Sequence, residues 1–168
     1  MMESKLSPNQ LAFMALANEY CQAVESCGES DKDEFVNRML RLLPRIYMSA
    51  NDLAEPMLQD EDAYIPSALE EDYYDSVRRS MEMLFGEDDT FLEVFESDMK
   101  FSDTPIAASI SEELADIFQV LFNLTENVKD APVEVVLLSL DAVKEDFISY
   151  WSQTLCNVLR AINAIKYN

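Results

Sequence analysis

The last third of this chain leaves it the fewest options. Val133, Val136, Leu140, Val143, Phe147, Trp151, Leu155, Val158, Ile162 and Ile165 follow one another at steps of three or four. That spacing keeps apolar side chains on one face of an α-helix. A helix carrying all ten positions runs about 50 Å, so the rest of the 168 residues must pack along it. The expected fold is an all-α bundle of about five main helices with this long C-terminal helix as its spine. The 2 Gly and 6 Pro agree, being too few for the many tight turns of an all-β fold.

The remaining helices carry their own start and stop signals. Ser7-Pro8-Asn9-Gln10 reads as a capping box with proline at the first helical position. Leu11, Met14, Ala17, Cys21, Val24 and Cys27 form the apolar stripe behind it, and Gly28 offers a left-handed stop. Ser30 or Asp31 caps a second helix whose buried face is Phe35, Met39, Leu42, Leu43, Ile46, Tyr47 and Ala50. Pro44 lies inside it and predicts a kink or break. Residues 51–66 read as an acidic loop with two prolines. Ser67-Ala68-Leu69-Glu70 is a second capping box, and Leu69, Tyr73, Val77, Met81 and Leu84 carry helix three to Gly86. Between Glu87 and Phe101 two readings stay open: a short helix on Phe91, Leu92, Val94 and Phe95, or an extended connection anchored by Phe95, Met99 and Phe101. Thr104-Pro105 opens helix four on Ile106, Ile110, Leu114, Ile117, Leu121 and Leu124. No repeat or long linker divides the chain, so residues 1–168 form one domain.

Charge limits the function. The net charge is −21, which repels phosphate backbones and anionic lipid and disfavours direct nucleic-acid or membrane binding. Residues 51–103 hold 17 acidic side chains against three basic ones, a local net of −14. With no histidine, histidine catalysis is excluded. Cys21, Cys27 and Cys156 have no metal-ligand spacing and read as buried free thiols in a reducing compartment. No stretch approaches the ~20 apolar residues of a membrane span, and a cytoplasmic location is expected.

Ser102-Asp103-Thr104-Pro105-Ile106, then Ala108-Ser109-Ile110-Ser111-Glu112 and Leu114-Ala115-Asp116-Ile117, resemble a bacterial family of all-helical domains of unknown function, the one catalogued as DUF5063. Leu42-Leu43-Pro44 with Ile46-Tyr47, and Tyr150-Trp151, match other fixed points of that family. The resemblance runs from about Leu11 to Ile165 and implies an all-helical domain. It brings no activity, cofactor, partner or site residue.

Two patterns remain as candidate sites. Glu93-x-x-Glu96 and Glu113-x-x-Asp116, sixteen residues apart, are similar to the ExxE…ExxD arrangement of MazG-type nucleotide pyrophosphohydrolases. There, four carboxylates on helical faces hold Mg²⁺ against a polyphosphate. Arg38, Arg41 and Arg45 fall on one face of helix two and could dock an anion or a carboxylate-bearing partner. The plainer expectation is that they pair with the acidic middle of the chain. Asp60-Glu61-Asp62 and Glu87-Asp88-Asp89 resemble fragments of calcium loops but lack the required glycine and terminal glutamate, and read as surface loops. The tyrosines and Trp151 read as core or core rim. Ser109 and Ser111, without a base to activate them, read as capping or packing residues.

These features favour a cytoplasmic protein-binding adaptor or regulatory module with an acidic surface and no catalysis or cofactor. The alternatives are the Mg²⁺-dependent hydrolase and an acidic nucleic-acid mimic. The mimic would need carboxylates in phosphate-like rows on one face.

Overall fold

The computed structural model describes residues 6–56, 65–93 and 106–168. Helix α1 (Pro8–Glu25) starts on the expected capping box. The Ser7 hydroxyl accepts from the Gln10 N–H at 3.1 Å, and the Gln10 amide oxygen accepts from the Ser7 N–H at 2.7 Å. Asp31 caps helix α2 (Lys32–Asn51), accepting from the Glu34 N–H at 2.8 Å. Helix α3 is Glu71–Phe85 and ends at Gly86 with φ 58°. Strands β1 (Thr90–Glu93) and β2 (Ile106–Ser109) pair antiparallel, with Glu93 opposite Ile106 and Thr90 opposite Ser109. Helix α4 (Ile110–Val128) follows directly on β2. Helix α5 (Val133–Asp146), a π-helical turn (Phe147–Trp151) and helix α6 (Ser152–Tyr167) form the uninterrupted C-terminal spine.

Helices α1, α2, α6 and α4 each pack on the next, and α4 packs back on α1, closing a four-helix ring. Helix α3 lies against α4, and α5 extends the spine along α4. Phe13, Tyr20, Met39, Ile46, Phe118, Trp151 and Val158 are among the side chains that fill the ring. The Tyr20 hydroxyl donates to the Leu114 carbonyl at 2.7 Å and the Trp151 indole N–H to the Val143 carbonyl at 3.1 Å. Both polar tips are thereby satisfied inside an apolar core.

Several expectations are corrected. The buried face of α1 is rotated from the one read in sequence: Phe13, Leu16 and Tyr20 point inward and Leu11 is exposed. Gly28 does not stop α1 in a left-handed conformation. The helix ends at Glu25, and a 3₁₀ turn, Cys27–Glu29, follows. Helix α2 runs through Pro44 without a break. Ser67 does not cap α3, which begins later. The preceding N–H groups of Ala68 and Leu69 instead donate to the Asn123 side-chain oxygen at 2.8 and 2.9 Å. Ile106 lies in β2, so α4 does not begin at Thr104-Pro105. Its cap is Ser109, whose hydroxyl accepts from the Glu112 N–H at 3.3 Å. Cys21 and Cys27 are buried free thiols as expected, whereas Cys156 is exposed.

Asp89, expected in a surface loop, is buried against the start of α4. It accepts from the Ser111 N–H and from the hydroxyls of Ser109 and Ser111, each at 2.8 Å. A carboxylate at a helix N-terminus meets unsatisfied N–H groups and the positive end of the helix dipole. Lys144 does the converse at the far end of α2. Its buried ammonium donates to the Ala50 and Asn51 carbonyls at 3.0 and 2.8 Å. No helix among the described residues is long and apolar enough to cross a membrane.

Candidate functional site: an acidic cleft centred on Asp116

Glu113 and Asp116 stand one turn apart near the start of α4 and so share a helical face. The π turn brings Ser149 and Tyr150 opposite them, and the first turns of α6 add Gln153, Thr154 and Asn157. An Arg160 guanidinium N–H donates to the Leu92 carbonyl and ties β1 to α6, which sets Glu93 on the same space. These side chains line an inner cavity of about 280 Å³. A second cavity of about 490 Å³ opens beside it, bounded by Asp116, Tyr150, Gln119, Asn123, Glu145 and Asp146 among others. Asp116 and Tyr150 belong to both.

Asp116 is held from two sides. The Tyr74 hydroxyl, from α3, donates to its Oδ1 at 2.6 Å, and the Tyr150 hydroxyl donates to its Oδ2 at 3.0 Å. Burial pushes the Tyr74 hydroxyl far above the usual tyrosine range, with the bond to Asp116 adding to it. Loss of water around the Tyr150 hydroxyl, then the Asp116 charge, pushes that group up to about 12. Both phenols therefore stay protonated at neutral pH, as donors that orient the carboxylate. In the outer cavity, burial and then the neighbouring Glu145 charge raise the Asp146 carboxyl above its ordinary value.

Five carboxylates, from Glu93, Glu113, Asp116, Glu145 and Asp146, face the two cavities, and no lysine or arginine lines either among the described residues. Glu93 differs from the rest. It is only 8% exposed, and its side chain makes no hydrogen bond or ion pair with any described residue. The Glu113 Oε2 atom is also buried.

Of the ExxE…ExxD set, Glu93, Glu113 and Asp116 thus share one cavity, and Glu96 lies outside the described residues. The tyrosines that fix Asp116 and the amides of α6 were not part of the carboxylate pattern, although Tyr150 stands in the Tyr150-Trp151 match to the family. The signal for them was the cluster of Tyr74, Tyr150, Gln153 and Asn157 on otherwise amphipathic helices. Arg38, Arg41 and Arg45 lie elsewhere, with Glu19, Glu34, Asn37 and Leu42, along a groove of about 720 Å³. Ion pairs among the described residues involve Lys32, Arg78, Arg79 and Lys129. The three arginines take no part in them, so the expected pairing with the acidic middle is absent among the described residues. Part of that acidic stretch, 57–64 and 94–105, lies outside them.

The model of one family matches residues 4–168, essentially the whole chain. The chain belongs to the family described as Domain of unknown function (DUF5063). A crystal structure of another helical protein, BF1032 from Bacteroides fragilis, superposes with a TM-score of 0.81 and 26% identity over 96% of this chain and 94% of that one. No curated protein matches the chain. The helical fold is shared with that Bacteroides protein, and membership of DUF5063 attaches no chemistry to the cleft.

Proposed function

We propose that this DUF5063 chain is a cytoplasmic binding module, without catalytic activity, that docks a basic segment of a protein partner across its acidic cleft. The observation that carries the reading is the cleft itself: five carboxylates around two joined cavities with no cation among the described lining residues. Like charges gathered in a concave, partly desolvated space repel one another and focus a negative potential that draws cations in. Ile106, Ile148 and Tyr150 are exposed. They give the neighbouring surface the apolar area that protein contacts use. The arginine row on α2 offers the same module a second contact, for a carboxylate- or phosphate-bearing group.

Selection from a displayed peptide library tests the reading. Enriched sequences should carry Lys and Arg, and their binding should weaken as salt rises and in a Glu113→Gln/Asp116→Asn variant. Enrichment with no basic excess, or binding indifferent to both salt and variant, would overturn it.

A second reading has one observation in its favour: Glu93, Glu113 and Asp116 share a cavity, as a Mg²⁺-dependent nucleotide hydrolase of the ExxE…ExxD type needs. It predicts a rise in melting temperature with Mg²⁺ and a nucleotide that vanishes in Glu113→Ala. That set also needs Glu96, which lies outside the described residues; among the described residues no three Asp, Glu or Cys side chains are grouped so as to hold an ion.

A further inference from the structure

We infer that the inner cavity is a guanidinium pocket, which receives an arginine side chain of the basic segment and seats it on Glu93. This inference rests on the reading of the cleft as a docking site for a basic partner. Its own support is Glu93. Its side chain is largely buried and lines the cavity, so charged N–H donors bound there would meet its carboxylate in a space with little competing water. Asp89, four residues earlier, has three donors. Glu93, equally buried and facing the cavity, has none among the described residues. A ligand that brings N–H groups to that carboxylate completes the set.

The spread of acceptors selects the class of cation. A divalent metal requires its oxygens to converge at 2.0–2.6 Å on one point, and the described carboxylates do not gather in that way. Around the cavity the carboxylates come instead from two elements, Glu93 from β1 and Glu113 and Asp116 from α4, and α6 adds the Gln153 and Asn157 amides. A guanidinium carries five N–H donors in a flat fork and reaches separated acceptors at once, whereas an ammonium is a compact point charge. Tyr150 also lines the cavity and carries an aromatic ring, a group on which a guanidinium plane can stack. Asp116, already fixed by two tyrosines, is preorganised to accept, so little ordering is needed on binding.

Amide-resolved NMR titrations of the full chain with ethylguanidinium, tetramethylammonium and MgCl₂, at constant ionic strength, decide the matter. Ethylguanidinium should shift the amides of Glu93, Glu113, Tyr150 and Gln153 saturably, and Glu93→Gln should weaken it about tenfold, the loss expected of one charged contact. Glu113→Gln should weaken it as well, which guards against a fault of one variant. Tetramethylammonium, with the same charge and no donors, should produce no saturable shift. An equal response to tetramethylammonium, an unaltered titration in Glu93→Gln, or tighter saturation of the same amides by Mg²⁺ would overturn the inference. If ethylguanidinium fails while a basic peptide still binds the cleft in a salt-dependent way, the pocket falls and the docking module stands. If both fail, both readings fall. If ethylguanidinium binds and no basic peptide does, the pocket stands as a site for a free guanidinium compound and the module reading falls.

Discussion

Asp89, just before β1, and Glu93, its last residue, stand four residues apart, both carboxylates, both in residues largely buried at 7% and 8% exposure. Asp89 faces the start of α4 and accepts three hydrogen bonds. Glu93 faces the cleft and accepts none from the described residues. Lys144 belongs with Asp89: it is buried, and its ammonium is spent on the last carbonyls of α2. Buried charge is therefore not in itself the mark of a site in this molecule. Where the fold supplies the counter-groups, the charge is structural and terminates a helix. Where it does not, the charge is held open toward a cavity.

Removing a structural charge should have the largest effect. Asp89→Ala leaves a buried N–H and two hydroxyls without their acceptor, and hydrogen bonds to a charged group contribute about 1.5–3 kcal/mol each before compensation. A loss of about 3 kcal/mol is expected in urea unfolding. An unchanged midpoint would place Asp89 with Glu93 and dissolve the contrast. Lys144→Met keeps the aliphatic stem and removes the donor to two carbonyls, and should cost about 2 kcal/mol, seen as a drop of several degrees in melting temperature. A neutral result would mean that water takes over those carbonyls.

Tyr150→Phe, on the cleft side, should cost only about 1 kcal/mol at neutral pH, the value of one hydrogen bond. It should also change the alkaline limb of stability. The folded-state Tyr150 hydroxyl titrates at about 12 against 10.0 for the free group. The unfolded chain therefore releases that proton first, and stability falls as pH rises between those values. Tyr73, also pushed up to about 12 by burial and then by its bond to Glu25, adds to the same fall. The Phe variant should show a shallower decline above pH 10 in equilibrium unfolding, and an identical slope would detach Tyr150 from the buried network.

The helical bundle was readable because the apolar periods are long and local. Even the π turn left a trace. Val143, Phe147, Trp151 and Leu155 are three successive steps of four, about one residue more than three α-helical turns contain, and a wider turn absorbs the excess. The start of α4 was misplaced because Thr104-Pro105 and Ser109-x-x-Glu112 are both good start signals. The strand pairing of Ile106–Ser109 with Thr90–Glu93 chose the second, and that pairing is a long-range fact. Asn123 serving the backbone ahead of α3 is another such fact, since nothing near Ser67 announces it. For the site, carboxylate spacing found Glu93, Glu113 and Asp116. Tyr74 and Gln153 join them only through the packing of α3 and α6 around α4, and Glu93 lies next to Leu92, whose carbonyl accepts from Arg160 of α6.

The most direct test is thermal unfolding of the wild-type chain and of Glu93→Gln, each with and without an arginine-containing basic peptide. The peptide should raise the wild-type melting temperature, since a ligand at 100 times its dissociation constant adds about 2.7 kcal/mol. Alone, the Gln variant should be more stable than wild type by about 1 kcal/mol, because one of the like charges gathered around the cavity has been removed, and it should gain much less from the peptide. A Gln variant that is less stable than wild type and gains as much from the peptide would make Glu93 one more structural charge and contradict the account.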